Sequence, residues 1–133
     1  MLEKSVYSIV VNLEGKYLIV SPSAGKVEWL FPGGHVENNE TEAECLKREL
    51  YEECKIKDFD IVKEFREENR YVNSSGNERV IAVYLVKVKT SDITLSHEHK
   101  EYVWGGYEVI APKLPHDSWK TILKKADELL KRT

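Results

Sequence analysis

The apolar positions near the start of the chain predict a β-hairpin. Residues 6–11 and 16–20 are rich in β-branched and aromatic side chains, and a polar turn at residues 12–15 separates them. Residues 27–31 form a further short extended segment, which the Pro-Gly-Gly sequence at residues 32–34 is expected to end as a rigid turn. The first part of the chain is therefore predicted to be β structure.

Two later segments have helical periodicity. In residues 39–54 apolar side chains recur at steps of three and four. They are Ala43, Leu46, Leu50 and Cys54, and this stripe is expected to face the core. A second helix is predicted after Pro115, with Asp117 as its N-terminal cap. Its apolar stripe consists of Trp119, Ile122, Leu123, Ala126, Leu129 and Leu130.

Two longer strands are predicted between these helices. They span about residues 60–70 and 78–88, and the polar turn at residues 73–77 joins them. The second contains the most apolar run in the chain, which is typical of a central strand. Another short strand is predicted at residues 102–104. The order strands, helix, strands, helix, without repeat or linker, predicts one α/β domain of residues 1–133 with helices packed on a mixed sheet.

Composition agrees with a compact domain that carries an unusual concentration of acid. The 133 residues are 41% apolar and 32% charged, and the net charge is −3. Neither a signal peptide nor a membrane-spanning stretch is visible, so a cytoplasmic location is expected. Cys45 and Cys54 lie about 13 Å apart along one predicted helix, too far to pair, and are expected to be packed thiols.

The segment from Glu37 to Glu53 contains seven glutamates, and its only basic residues are Lys47 and Arg48. A nucleic-acid surface would have the opposite sign, so no stable nucleic-acid complex and no membrane partner is expected. If the partner is a phosphate compound, divalent cations must lie between the two sets of negative charge.

Four carboxylates share one flank of the first predicted helix, where they repel each other. They are Glu42, Glu49, Glu52 and Glu53. A solvated acidic face would explain them, but three features favour a metal site. Glycines before the helix let a ligand approach the backbone, oxygen donors suit Mg²⁺ or Mn²⁺, and Arg48 can orient a neighbouring carboxylate.

The spacing of these residues resembles the signature of the Nudix hydrolases, the MutT-like family. The matching positions are Gly34, Glu40, Arg48-Glu49-Leu50, Glu52-Glu53 and Ile56. Only the last glycine of the signature is missing, and Lys55 replaces it, where a left-handed conformation would cost about 1 kcal/mol. The resemblance implies a Nudix-type α/β/α sandwich with a mixed sheet, a catalytic loop-helix-loop and a C-terminal helix.

The resemblance also implies Mg²⁺-dependent hydrolysis, with Mn²⁺ as an alternative ion, of a phosphoanhydride bond in a nucleoside diphosphate linked to another moiety. The implied metal ligands are the Gly33 carbonyl, Glu49, Glu52 and Glu53. Glu49 would bind a second metal or polarise the attacking water, and Arg48 would orient Glu49 or Glu52. Glu40 would tie the loop to the helix.

Glu98 is a further candidate, either as a metal ligand or as the general base. Some family members place an acid six residues before a tryptophan, and Glu98 precedes Trp104 by that distance. His97, His99 and Glu101 are rivals in the same loop.

The substrate stays open between a nucleoside triphosphate, a nucleotide sugar and a dinucleoside polyphosphate. His35 and residues 96–99 resemble the dinucleoside tetraphosphate hydrolases. Gly33 stands where that branch usually has lysine, so residues 32–35 look closer to the branches that act on nucleoside triphosphates or nucleotide sugars. The candidate substrate-binding residues are Trp29, Gly34, His35, Tyr71, Arg66 and Arg79. The alternatives are a non-catalytic Nudix-fold nucleotide-binding or sensor module, and an acidic helix that docks onto a basic protein. The sequence does not decide between a monomer and a homodimer.

Overall fold

The computed structural model describes residues 2–22, 28–97 and 99–132. The strands in this part of the chain are β1 Leu2–Val11, β2 Tyr17–Pro22, β3 Gly33–His35, β4 Asp60–Val72, β5 Glu78–Lys87 and β6 His99–Gly105. The helices are α1 Glu42–Cys54, α2 Tyr107–Ile110 and α3 Asp117–Lys131, with a 3₁₀ turn, Ala111–Lys113, before α3. None of these helices has the length and apolar character needed to cross a membrane.

The strands form a mixed sheet in the order β4-β5-β1-β2-β6, and β3 pairs with β1 off this path. The pairing of β1 with β5 is parallel along the whole of β1, from Leu2↔Glu78 to Val11↔Lys87. All other strand pairs are antiparallel. The apolar run in β5 therefore belongs to an interior strand, as the sequence predicts, because both faces of that strand are covered.

The predicted hairpin of β1 and β2 is present, with Val11 opposite Tyr17. The Asn12 side chain holds its turn, because its Oδ1 accepts hydrogen bonds from the backbone N–H groups of Glu14 and Lys16, each at 3.0 Å. Gly15 supplies the positive φ, 76°, that the turn requires.

The predicted rigid turn at residues 32–34 is wrong. Gly33 and Gly34 lie in β3, where Tyr7 pairs with Gly33 and Val6 pairs with Gly34. Glycine has a low strand propensity, but here packing decides: a Cβ on Gly33 would lie 2.4 Å from Tyr7 Cδ2 and from the Val6 carbonyl oxygen. The strand is possible only because this position has no side chain. In the preceding extended segment, Leu30 forms a bridge with Val20.

Helix α1 begins later than predicted, at Glu42, because Asn39 has a positive φ of 66° and Thr41 caps the helix. Thr41 Oγ1 accepts from the Glu44 N–H at 3.1 Å, and Glu44 Oε1 accepts from the Thr41 N–H at 2.8 Å, which together make a capping box. The buried face consists of Cys45, Leu46, Leu50, Glu53 and Cys54. Ala43 is exposed, so the predicted stripe is wrong at that position.

The two faces of the sheet carry separate cores. Side chains that alternate along each strand reach opposite faces, so Val10 and Leu18 pack with α1 whereas Ile9 and Ile19 pack with α3. The chain is thus an α/β/α sandwich with a C-terminal helix, as predicted.

The prediction that Asp117 caps α3 is wrong, because Asp117 is the first residue of the helix. His116 occupies the cap position, and its side chain makes no capping hydrogen bond.

Both cysteines are buried and free, as expected for packed thiols. Burial raises the pKa of the Cys45 and Cys54 thiols to about 12 in each case. They are therefore protonated at neutral pH.

Lys55 ends α1 in the left-handed conformation, with φ 60°. Its N–H donates to the Tyr51 carbonyl at 2.9 Å, and the Ile56 N–H donates to the Leu50 carbonyl at 3.2 Å. Ile56 then enters the core. The geometry expected of the missing signature glycine is thus kept by a residue with a Cβ.

Lys55→Gly is expected to be more stable than Lys55→Ala by about 1 kcal/mol, because glycine adopts the left-handed region without the Cβ clash. Both variants lose the contact of the Lys55 ammonium group with the Tyr51 ring, so their difference isolates the backbone effect. Urea unfolding of the two variants measures it. Equal stability of the pair would show that the left-handed conformation is not strained.

Candidate active site

Two glutamates of α1 meet two successive glycines of β3. Glu53 is only 5% exposed, and its carboxylate accepts from the Gly33 N–H at 3.3 and 3.4 Å. Glu49 lies one helical turn earlier and touches Gly34 so closely that a Cβ there would be 2.7 Å from Glu49 Oε1. The glycines therefore allow both carboxylates to approach the backbone of β3.

The register of β3 leaves the polar groups of Gly33 turned away from β1. The Ser8 N–H donates to the Pro32 carbonyl at 2.8 Å, so Tyr7 and Gly33 form the non-hydrogen-bonded type of pair. In such a pair the N–H and C=O of each residue point away from the neighbouring strand. The Gly33 carbonyl thus points to the same side as the N–H that meets Glu53.

Arg48 connects the acids around this point. Its Nε and Nη2 donate to both oxygens of Glu40, at 2.7 and 3.0 Å, and its Nη1 donates to Glu49 at 2.8 Å and Glu52 at 3.0 Å. Nη2 also donates to the His35 carbonyl at 3.0 Å. These hydrogen bonds raise the pKa of Arg48, and the bond to Glu40 has the largest effect. The same bond from Arg48 is the main reason that the pKa of Glu40 is lowered to about 2.

The metal ligands predicted on α1 do not have equal environments. The Glu49 side chain is 15% exposed, whereas the Glu52 side chain is 53% exposed and forms an ion pair with Arg48. Residues 2–22, 28–97 and 99–132 contain no group of three or more His, Cys, Asp or Glu side chains placed so that they could hold a metal ion. Glu98 lies outside the described residues.

A pocket of about 510 Å³ opens between the sheet and the start of α3. Tyr7 connects it to the carboxylates, because its ring lies against Gly33 and meets the Trp119 ring edge-on at 5.3 Å. Burial, and then the negative charge of Glu53, raises the pKa of the Tyr7 hydroxyl. The pocket therefore lies beside the two carboxylates.

Of the predicted substrate-binding residues, Tyr71 and Arg79 line this pocket. His35 lies next to it, since its Nδ1 is 3.2 Å from the hydroxyl of Ser5, which is also a lining residue. Gly34 faces Glu49. The structure also places His116 in the pocket wall, which the sequence did not indicate because that residue is distant along the chain from every motif.

Arg66 and Trp29 are placed elsewhere. Arg66 donates to both oxygens of Glu42, at 3.0 and 2.8 Å, and to Glu68 at 3.0 Å, and it does not line the pocket with Tyr71. Trp29 packs against the core on the α3 side, with the Lys113 ammonium group 5.9 Å from its ring centre.

Glu42 belongs to an ionic network that the sequence did not reveal. It accepts from Arg66 and from the Tyr84 hydroxyl, and its carboxylate is 2.5 Å from the Lys4 ammonium group. Arg66, above all, holds the pKa of Glu42 at about 2. The helical wheel put Glu42 with the other acids, but its partners come from three separate strands and tie the first turn of α1 to the sheet.

The family follows from comparison with known proteins. A family model described as the NUDIX domain matches residues 1–125. The chain belongs to the Nudix family. It is a Nudix hydrolase, and its Nudix signature is the segment in which Gly34, Glu40, Arg48, Glu49, Glu52 and Glu53 make the contacts described above.

The relatives of this Nudix hydrolase include curated enzymes of similar length. The asymmetrical bis(5'-nucleosyl)-tetraphosphatase of Sus scrofa is 31% identical over 125 residues, which cover 91% of this chain and 84% of that protein. The enzyme of the same name from Caenorhabditis elegans is 31% identical and the match covers 90% and 89% of the two chains. Phosphatase NudJ of Escherichia coli is 48% identical, but over only 35% of this chain and 31% of its own length.

Solved structures have the same fold over nearly the whole length of this chain. A binary complex of the C. elegans Ap4A hydrolase matches with a TM-score of 0.88 and 25% identity, covering 98% of this chain and 99% of that one. A MutT protein from Methanosarcina mazei Go1 matches with a TM-score of 0.76 and 26% identity, covering 98% and 96%.

Proposed function

We propose that this Nudix hydrolase cleaves a dinucleoside tetraphosphate asymmetrically, into a nucleoside triphosphate and a nucleoside monophosphate. The observation that carries the proposal is the meeting of Glu49 and Glu53 with Gly34 and Gly33 beside a pocket with an exposed tyrosine. The likeness to the bis(5'-nucleosyl)-tetraphosphatases over nearly the whole chain favours this substrate over a nucleoside triphosphate or a nucleotide sugar. Gly33, where that branch usually has lysine, is a departure that counts against it.

The donor set suits Mg²⁺. Carboxylates and a backbone carbonyl are hard oxygen ligands, and the Gly33 carbonyl turns to the side on which Glu53 lies. We assign metal binding to Gly33, Glu49, Glu52 and Glu53, with Mn²⁺ as an alternative ion. When bound, such an ion neutralises charge on the phosphates and makes water a better nucleophile near neutral pH.

Arg48 acts on the carboxylates rather than on the substrate in this proposal. Its fork is fixed by Glu40, and its remaining N–H groups reach Glu49 and Glu52. Arginine suits this task because five donors lie in one rigid plane. The guanidinium thereby orients two carboxylates that would otherwise repel each other.

The pocket beside the carboxylates supplies the remaining groups for a nucleotide. Tyr71 is 45% exposed and offers a ring face for a base. Arg79 and His116 offer hydrogen-bond donors in the same wall, suited to phosphate oxygens. We assign substrate binding to these three residues, with His35 at the margin and Arg66 in a structural role at Glu42.

Glu98 stays a proposed ligand or general base. Two hydrogen bonds attach the described residues before Glu98 to the end of α1. The Ser96 N–H donates to the Glu53 carbonyl at 3.1 Å, and the Thr94 N–H donates to the Cys54 carbonyl at 3.3 Å. If Glu98 takes part, Glu98→Gln lowers kcat by more than tenfold, the usual size of a lost general base. Asp92→Asn, at an exposed acid in the described part of the same loop, is the matched control, and a loss below tenfold in Glu98→Gln removes Glu98 from the mechanism.

A product assay tests the function. The enzyme is incubated with diadenosine tetraphosphate, ATP and ADP-glucose in Mg²⁺ or Mn²⁺, and products are separated by chromatography. The proposal predicts equal amounts of ATP and AMP from diadenosine tetraphosphate, with ¹⁸O from labelled water in only one of them. Two molecules of ADP, or faster turnover of ATP or ADP-glucose, would refute the proposed substrate. Release from none of the compounds would favour the non-catalytic nucleotide sensor.

A further inference from the structure

A second cavity, of about 650 Å³, lies at the C-terminal end of α1. Residues 55–60 form one wall, and Lys87, Lys89 and Thr90 at the end of β5 form the other. We call this cavity the lysine groove. It shares no lining residue with the pocket beside the carboxylates, and none of its residues belongs to the contacts assigned to hydrolysis.

The lysine groove is positive in a chain that is negative as a whole. Its four lysines, Lys55, Lys57, Lys87 and Lys89, face two carboxylates, Asp58 and Asp60, so four minus two leaves a local charge of +2. The whole chain has a net charge of −3. The end of a helix contributes roughly half a negative charge, which offsets only a fraction of this excess.

Two of these ammonium groups are gathered at one aromatic ring. Lys55 Nζ lies 4.6 Å, and Lys57 Nζ 5.5 Å, from the centre of the Tyr51 ring. Within the described residues no carboxylate forms an ion pair with any of the four lysines. An anion bound in the groove would stabilise this excess of positive charge.

We propose that the lysine groove binds a small phosphate-bearing molecule at a second site. The volume lies within the range typical of small-molecule sites, roughly 300–1,000 Å³. Lysine ammonium groups bind phosphate as point charges, and the half-buried Phe59 gives the groove an apolar floor. Asp58 and Asp60 interrupt the positive surface, which disfavours a nucleic-acid strand that needs a continuous one.

The two sites can be separated by their need for metal. Three glutamates at the hydrolytic site repel phosphate unless a divalent ion is present, whereas the lysine groove attracts it without one. Tripolyphosphate has no base to enter the pocket that contains Tyr71. Arg79 in that pocket could still attract tripolyphosphate in EDTA, so titration calorimetry is run on the wild type and on Arg79→Gln. Binding that Arg79→Gln leaves unchanged reports on the groove, whether or not the proposed hydrolysis is correct.

The test compares two double variants with equal changes of charge. Lys57→Gln with Lys89→Gln alters the groove, and Lys63→Gln with Lys124→Gln alters exposed lysines on β4 and α3. We expect the groove variant to bind tripolyphosphate about tenfold or more weakly than the wild type, and the control to bind within about twofold. All four positions are exposed, so both variants are expected to fold, and both are expected to keep the hydrolytic rate with Mg²⁺.

Nuclear magnetic resonance locates the ligand independently. Amide shifts on addition of tripolyphosphate in EDTA should be largest in residues 55–60 and 87–90. Inorganic phosphate and AMP, titrated in parallel, distinguish a site for phosphate alone from one for a phosphorylated organic molecule. Equal binding by the groove variant and the control, largest shifts elsewhere, or binding of single-stranded RNA without tripolyphosphate would each overturn the proposal.

Discussion

Glu53→Gln is expected to lower kcat by about a thousandfold, the largest effect of any single change considered for this chain. Glutamine keeps the size of a side chain that is 5% exposed, and an oxygen can still accept from the Gly33 N–H. Only the negative charge is lost. A bound metal ion contributes several kcal/mol to the stabilisation of the reacting phosphate. A loss of about 4 kcal/mol of this stabilisation lowers the rate about a thousandfold.

The measurement is a pair of titrations with Mg²⁺, one of kcat and one of thermal stability. Mg²⁺ should stabilise the wild type and have little effect on Glu53→Gln. Glu128→Gln, an exposed change on α3, is the control for loss of one charge. A Glu53→Gln enzyme with kcat within tenfold of the wild type, or with an unchanged response to Mg²⁺, would remove Glu53 from the metal site.

Alanine substitutions at the two glycines of β3 are expected to have different effects: Gly33→Ala lowers stability, and Gly34→Ala lowers kcat. Gly33→Ala places a Cβ 2.4 Å from the Val6 carbonyl oxygen and from the Tyr7 ring. The Tyr7 ring packs on Trp119 and cannot move away. The free energy of unfolding is therefore expected to fall by about 3 kcal/mol. For Gly34→Ala, the three atoms nearest to the new Cβ all belong to the Glu49 carboxyl group, at the far end of that side chain. The stability of this variant should fall by less than about 1 kcal/mol, but its kcat by about a hundredfold, because the carboxylate is displaced.

Each glycine variant is the control for the other. Urea unfolding measures the stability of both, and kcat is compared at a temperature where both are folded. Gly76→Ala adds a third reference, because its turn leaves open space around the Cβ although its φ is positive. A Gly34→Ala enzyme with normal kcat would show that the close approach of Glu49 to β3 is not needed for hydrolysis.

Periodicity predicted much of the architecture because burial imposes it locally. The apolar run in β5 indicated an interior strand, and β5 indeed lies between β4 and β1. The stripe on α1 was correct at Leu46, Leu50 and Cys54, where spacing and burial agree. It was wrong at Ala43, since alanine is apolar enough to match the pattern but sits on the exposed side of the first turn.

Local propensity misled where distant residues decide the backbone. The glycines of β3 look like a turn, yet they pair with β1 because the Tyr7 ring requires a neighbour without a side chain. Arg66 resembled a phosphate ligand, since a free arginine near an acidic helix is indistinguishable in sequence from one already paired. Its pairing with Glu42 depends on the meeting of β4 with α1.

The sequence by itself determined the order of the elements, the acids that α1 carries, and the family to which the chain belongs. Those properties depend on spacing within one segment, where a helix relates residues three and four positions apart. The tertiary structure alone decided which partner each acid meets: Glu53 faces a glycine twenty positions earlier, Glu49 faces the next, and Glu42 faces the sheet. The physical reason is that strand pairing and packing act between residues far apart in the chain, and no local pattern records them.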